Sequence, residues 1–134
     1  MIAVDTNVLV RLLVNDIDSQ AQVALAKTLL KRAKQVYVPQ IVQVEMVWVL
    51  ETAYQFDKSA VLTALKHLQQ TALFVLQHKK QFDTALATFE KHTADFSDTL
   101  ILSNCLENEH QLFTFDKKFA RLQSVTLLNE KRLA

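Results

Sequence analysis

A chain of 134 residues, half of them hydrophobic, carries enough apolar material for one folded core and too much for a disordered coil. With 15 Lys and Arg against 14 Asp and Glu, a net charge of +1 excludes a polybasic nucleic-acid coat but leaves room for a local basic patch. A single cysteine excludes a disulfide framework and a cysteine-built zinc site. The absence of glycine excludes the Walker loop and the dinucleotide fingerprint, whose backbones must approach a phosphate closely. The N-terminus lacks a basic stretch followed by a long apolar one, and no apolar window reaches about 18 residues. The expectation is one soluble, cytoplasmic domain over residues 1–134, with no membrane contact.

In chain order, Ile2–Val4 reads as a short buried strand and Asn7–Val14 as a short helix, with Asn15 as its C-terminal cap. Ser19 with Gln22 fits a capping box opening a helix to about Ala33. Val36–Val38 is a β-branched and aromatic strand, and Pro39 starts a helix to about Tyr54. Asp57 caps a helix to about Gln70, and Phe74–Leu76 is a third strand. Helices follow at Lys79–Lys91 and Phe96–Glu109. Leu112–Phe115 is a fourth strand, Lys117–Arg121 a turn of helix, and Val125–Leu127 a fifth strand. Without glycine, turns are expected to rely on Asn, Asp and Ser. Strands separated by helices imply crossover connections and a parallel sheet, hence an α/β fold.

Two strands run into an acid: Ile2-Ala3-Val4 into Asp5, and Leu112-Phe113-Thr114-Phe115 into Asp116. In an open parallel sheet, function gathers outside the carboxyl ends of the strands. Each of these acids is also a natural N-cap. Glu45 has only Ile41, Val42, Trp48 and Val49 three and four residues away, with Gln40, Gln43 and Glu51 read as the polar side. A carboxylate inside a buried apolar stripe must be paired, protonated or bound to a cation. Asp98 lies in a first helical turn above Ile101, Leu102 and Cys105, with Asp95 as the natural N-cap. Four acids at one sheet edge would repel each other, and a divalent cation relieves that conflict. Oxygen donors without His or Cys favour Mg²⁺ or Mn²⁺ over zinc, and an acid-only metal site points to phosphodiester chemistry.

Val4-Asp5-Thr6-Asn7-Val8-Leu9, Glu45 after the second strand, Ala94-Asp95-Phe96-Ser97-Asp98-Thr99-Leu100-Ile101 and Thr114-Phe115-Asp116-Lys117-Lys118-Phe119 together resemble the PIN-domain family. The closest likeness is to its VapC-type branch, the ribonuclease toxins of type II toxin–antitoxin pairs. The resemblance spans the whole chain; Thr93 stands where many relatives carry glycine. It implies a three-layer α/β/α fold, with a central parallel sheet of four to five short strands flanked by helices. It implies a Mg²⁺-dependent endoribonuclease (Mn²⁺ possible as the metal), a homodimer, and a VapB-type antitoxin whose C-terminal segment covers the active-site groove.

Carried over residue by residue, Asp5, Glu45 and Asp98 are the principal metal-site acids, and Asp116 completes the ring. Thr6 and Thr114 supply steadying hydroxyls, Asn7 a polar group at the helix start, and Asp95 a supporting acid. Lys117, Lys118, Arg121 and Arg11 are the candidates for contacts to RNA phosphates. The expected reaction is attack of an activated water on RNA. A haloacid-dehalogenase-like phosphatase is disfavoured by Asn7, which stands where that class needs a second Asp, and by the missing glycine motif. The remaining alternative is a non-catalytic module that binds RNA or protein. His67, His78, His92 and His110 lack ligand spacing, Cys105 reads as a core thiol, and Trp48 and the phenylalanines as mostly core.

Overall fold

The β-branched runs become strands and the leucine-rich stretches between them become helices. The structure, a computed structural model, describes residues 1–133 and comprises two units divided between Lys79 and Lys80.

In the first unit β1 (Ile2–Ala3), β2 (Val36–Val38) and β3 (Phe74–Leu76) pair in parallel in the order β1-β2-β3. Ile2 stands opposite Val36, which stands opposite Phe74. The parallel arrangement requires crossovers. They are α1 (Thr6–Leu13) and α2 (Gln20–Arg32) between β1 and β2, and α3 (Gln40–Thr52) and α4 (Lys58–Gln70) between β2 and β3. α1 packs on α2 and α3, and α4 on β3. Leu9, Val10, Met46, Leu50, Val61, Leu65 and Leu68 are wholly buried. An isolated helix of eight residues is too short to persist in water. Burying a leucine contributes roughly 1.5–3 kcal/mol, so packing through Leu9 and Val10 holds α1 in place.

The second unit is built from α5 (Lys79–Lys91) beyond its first residue, α6 (Phe96–Glu107), and the parallel pair β4 (Leu112–Thr114) and β5 (Val125–Leu127). Phe96 sets its ring edge-on to Phe82 at 5.8 Å and to Phe89 at 5.7 Å, stitching α6 to α5. The Ser103 hydroxyl donates to the Gln81 carbonyl at 3.1 Å across the same helix pair. Leu102, Phe119, Leu122 and Val125 form a second buried cluster, with Leu112 packed against it.

The α/β class with parallel strands joined through helices is therefore as expected. Asp57 caps α4 by accepting from the Ala60 amide at 2.9 Å. Several local expectations need correction. Asn15 does not cap α1; extended Val14 does, donating its amide to Val10. Ser19 makes no side-chain cap to α2; it ends a short 3₁₀ turn, Ile17–Ser19, capped by Asp16. Pro39 is the N-cap of α3 rather than its first residue, and its carbonyl accepts from Val42 and Gln43. The Gln40 amide, which has no intrahelical acceptor at that helix start, donates to the Gln77 side chain at 2.8 Å. α6 and β4 end earlier than expected, at Glu107 and Thr114, and the turn of helix is the 3₁₀ segment Phe119–Arg121.

Asp16, Asp116 and Asn129 close turns through their side chains as expected, while left-handed backbone falls on Gln55, His78, Glu109 and Ser124. At Glu109 the reason is visible. The amide of His110 returns to the Cys105 carbonyl at 2.8 Å, closing α6 in the manner that usually places glycine at this position.

Candidate functional site

In the first unit Asp5 is exposed at the point where β1 gives way to α1. Its Oδ1 accepts from the Val8 amide at 3.1 Å, and its carbonyl accepts from Leu9 at 3.1 Å. The capping role is real, and it fixes the carboxylate at the positive end of a helix. Thr6 is buried and Asn7 is exposed beside it. Asp5, Asn7, Val8 and Arg11 of the α1 side face Gln22, Leu25, Ala26 and Leu29 of α2 across a groove of about 310 Å³.

Arg11 has partners on several elements. Its Nε donates to Gln22 at 3.0 Å, and its Nη1 donates to the Tyr54 hydroxyl at 2.8 Å and lies 3.7 Å from Asp16. Tyr54 in turn donates to Asp16 Oδ2 at 2.6 Å. That bond from Tyr54 is the main reason the Asp16 carboxyl is held below its ordinary value. The Tyr54 phenol is raised, first by burial and then by its bond to Asp16. A contact from Arg11 to phosphate must displace these partners. Sequence spacing alone did not find Asp16, Tyr54 or Gln22 as partners, because they come together only through packing of three helices.

Glu45 corrects the argument made for it. The carboxylate is exposed, and so are two of its apolar neighbours, Ile41 and Trp48, each 65% exposed. The buried stripe of α3 is instead Val42, Gln43, Met46, Val47 and Leu50. Gln43, assigned to the polar side, is wholly buried: its Nε2 donates to the carbonyls of Val38 at 3.2 Å and Gln77 at 3.0 Å. It thereby ties the ends of β2 and β3 to α3 and leaves its Oε1 without a partner.

In the second unit Asp95 occupies the N-cap position of α6 but makes no side-chain cap. Asp98, in the first turn, is partly buried above Leu102 and Cys105, whereas Ile101 is turned outward at 47% exposure. Burial raises the Asp98 carboxyl above its ordinary value, and the charges of Asp95 and Asp116 add to the rise. The sequence thus brings Asp95, Asp98 and Asp116 into one electrostatic neighbourhood. Asp116 follows β4. Its Oδ1 accepts from the amides of Lys118 at 2.8 Å and Phe119 at 3.2 Å, and its own amide donates to the Thr114 hydroxyl at 3.0 Å. Lys117, Lys118 and Arg121 are exposed, and among the described residues none is paired with an acid.

Two phenylalanines assigned to the core lie outside it: Phe113 is 42% and Phe115 78% exposed. The missed signal was strand alternation, which turns Leu112 and Thr114 one way and Phe113 the other.

Among the described residues, no three His, Cys, Asp or Glu side chains form a ready-made metal cage. The donor chemistry nevertheless suits a hard divalent cation. The candidate acids offer only oxygen, and Asp98, raised first by burial and then by the charges of Asp95 and Asp116, lies where a cation would offset both. No described helix is long and apolar enough to cross a membrane.

No curated protein matches the chain. The family model of the PIN domain matches residues 2–125. That span takes in β1 through Val125, the first residue of β5, and every acid described above. Families of this kind are in general metal-dependent nucleases. With the match covering nearly its whole length, the chain belongs to the PIN-domain family.

Proposed function

We propose that the chain is a divalent-metal-dependent endoribonuclease of the VapC type, the toxin of a toxin–antitoxin pair, acting in the cytoplasm as a homodimer restrained by a VapB-type antitoxin. The observation that carries the nuclease reading is Asp98, a half-buried carboxyl raised by burial and by Asp95 and Asp116, in a member of a nuclease family. In this reading Asp5, Glu45, Asp98 and Asp116 are the acids that would hold Mg²⁺ or Mn²⁺. When bound, that cation supplies Lewis-acid polarisation of a phosphate and lowers the pKa of water.

The chain's own groups do the positioning. The Val8 amide fixes the Asp5 carboxylate, and Thr114 with the amides of Lys118 and Phe119 fixes Asp116. Lys117, Lys118 and Arg121 hold the phosphates of the RNA. In-line attack of water on phosphorus, with departure of the 3′ oxygen, leaves a 5′-phosphate and a 3′-hydroxyl. No side chain is needed as a covalent nucleophile. Asn7, Thr6 and Asp95 support the site.

The test is incubation of the purified chain with total RNA in Mg²⁺, Mn²⁺ or chelator, with mapping of new 5′ ends. Asp5→Asn is the matched control, because Asn caps a helix about as well as Asp and removes only the charge. Cleavage confined to the divalent metals and lost in Asp5→Asn supports the proposal. RNA binding without cleavage in any metal returns the chain to a non-catalytic module.

A further inference from the structure

We infer that Phe115 is a stacking platform for an unpaired base of the RNA at the carboxyl end of β4. This deepens the nuclease proposal and rests on its choice of RNA as the ligand.

Phe115 is 78% exposed, and Phe113 two residues earlier is 42% exposed. Local folding does not require either ring outside. Leu112 on the same strand packs against the cluster of Leu102, Phe119, Leu122 and Val125, so the apolar demand of this unit is met without them. The segment around Phe115 is also firmly shaped. Thr114 receives the Asp116 amide, Asp116 receives the amides of Lys118 and Phe119, and Phe119 is buried as the anchor. An exposed aromatic on a well-bonded turn loses little entropy when a flat ligand lies on it.

The charges around it select the ligand. Lys117, Lys118 and Arg121 follow within six residues, all exposed and none paired with an acid among the described residues. A π-face beside unpaired cations is the pairing that single-stranded nucleic acid uses: bases stack on the ring while phosphates meet the cations. An apolar protein partner would cover Phe115 but gain nothing from three cations. Duplex RNA offers phosphates but keeps its bases stacked on each other, so it cannot use the ring.

The experiment is carried out in chelator, so that binding is read without cleavage. The probes are a single-stranded oligoribonucleotide bearing 5-iodouracil and the same sequence closed into a duplex, presented to the wild-type chain, Phe115→Ala and Phe115→Tyr. Irradiation joins 5-iodouracil to an aromatic side chain stacked on it, and peptide mass spectrometry locates the joined residue.

The expected result is a crosslink at Phe115 with single-stranded RNA and none with duplex. Phe115→Ala weakens single-strand binding by about tenfold, and Phe115→Tyr restores it to within about twofold. Thermal melting is unchanged in both variants, since the exposed ring carries little packing.

Equal binding by wild type and Phe115→Ala, equal binding of duplex, or crosslinks that avoid Phe115 overturn the inference. So does a crosslink that emerges only on dilution to monomer, which would make the ring a protein–protein contact. The two readings fail separately. RNA that crosslinks to Phe115 yet is never cut in Mg²⁺ or Mn²⁺ removes the nuclease and keeps the platform. Metal-dependent cutting with an indifferent Phe115→Ala does the reverse.

Discussion

Asp5 in the first unit and Asp116 in the second each follow a parallel strand, and each turns Oδ1 onto the amides of the segment that comes next. Their surroundings differ. Beside Asp5, the cation on the same helix, Arg11, is tied to Gln22, Tyr54 and Asp16. After Asp116, Lys117, Lys118 and Arg121 extend outward without acidic partners among the described residues. The second acids differ as well: Glu45 is exposed on α3, while Asp98 is half-buried among like charges. Arg11 is spent on holding helices together, whereas Lys117, Lys118 and Arg121 are left where a phosphate can bind without displacing an acid.

The largest effect should come from removing charge at the acids without removing their shape. Asp98→Asn and Asp5→Asn are each expected to lower RNA cleavage by about a hundredfold or more, read as the initial rate on a labelled RNA in Mg²⁺. If only one unit's acid matters, the comparison becomes an asymmetry of function and the four-acid site is wrong.

Next in size is the contrast between cations. Lys117→Ala with Lys118→Ala should weaken RNA binding and flatten the slope of log affinity against log salt by about 1.4, the value for two lost phosphate contacts on a single strand. Arg11→Ala should leave that slope nearly unchanged and lower thermal stability instead. A reversed pattern would show the free and the tied cations to be misassigned.

Two smaller effects concern stability against pH. Tyr54→Phe removes the bond that chiefly lowers the Asp16 carboxyl and should reduce the melting temperature by about 3 °C at neutral pH. The contribution of Asp16 is present above its unfolded value and fades as pH falls through the lowered folded value, so the wild-type advantage should shrink in acid.

Asp98 behaves oppositely. Its folded carboxyl binds a proton more readily than its unfolded one, so stability falls as pH rises through the interval between the two. In chelator at neutral pH, Asp98→Asn should therefore melt slightly above wild type. A lower melting point in thermal denaturation would show that the Asp98 carboxylate makes stabilising contacts in the fold.

The strands and helices were legible because glycine-free, leucine-rich stretches between β-branched triplets leave few alternatives. Helix ends were less so: at the start of α3 the Gln40 amide is met by Gln77, just beyond β3 and 37 residues away. Glu45 shows the sharper limit. Apolar neighbours at three- and four-residue spacing mark one face of a helix, but not whether that face is the buried one. Here the core took Val42, Met46, Val47 and Leu50, and Gln43 enters it with its amide bonded to the carbonyls of Val38 and Gln77. Phe113 and Phe115 were misplaced for a related reason, since hydrophobicity alone does not say which side of a two-stranded ribbon is covered.

The most direct test of the central claim is cleavage of a defined single-stranded RNA by the purified chain across a titration of Mg²⁺, with chelator and Asp98→Asn alongside. The expected outcome is no cut in chelator, a rate that rises and saturates with Mg²⁺, products ending in 5′-phosphate, and near silence from Asp98→Asn. Equal cutting in chelator, or full activity in Asp98→Asn, would contradict it.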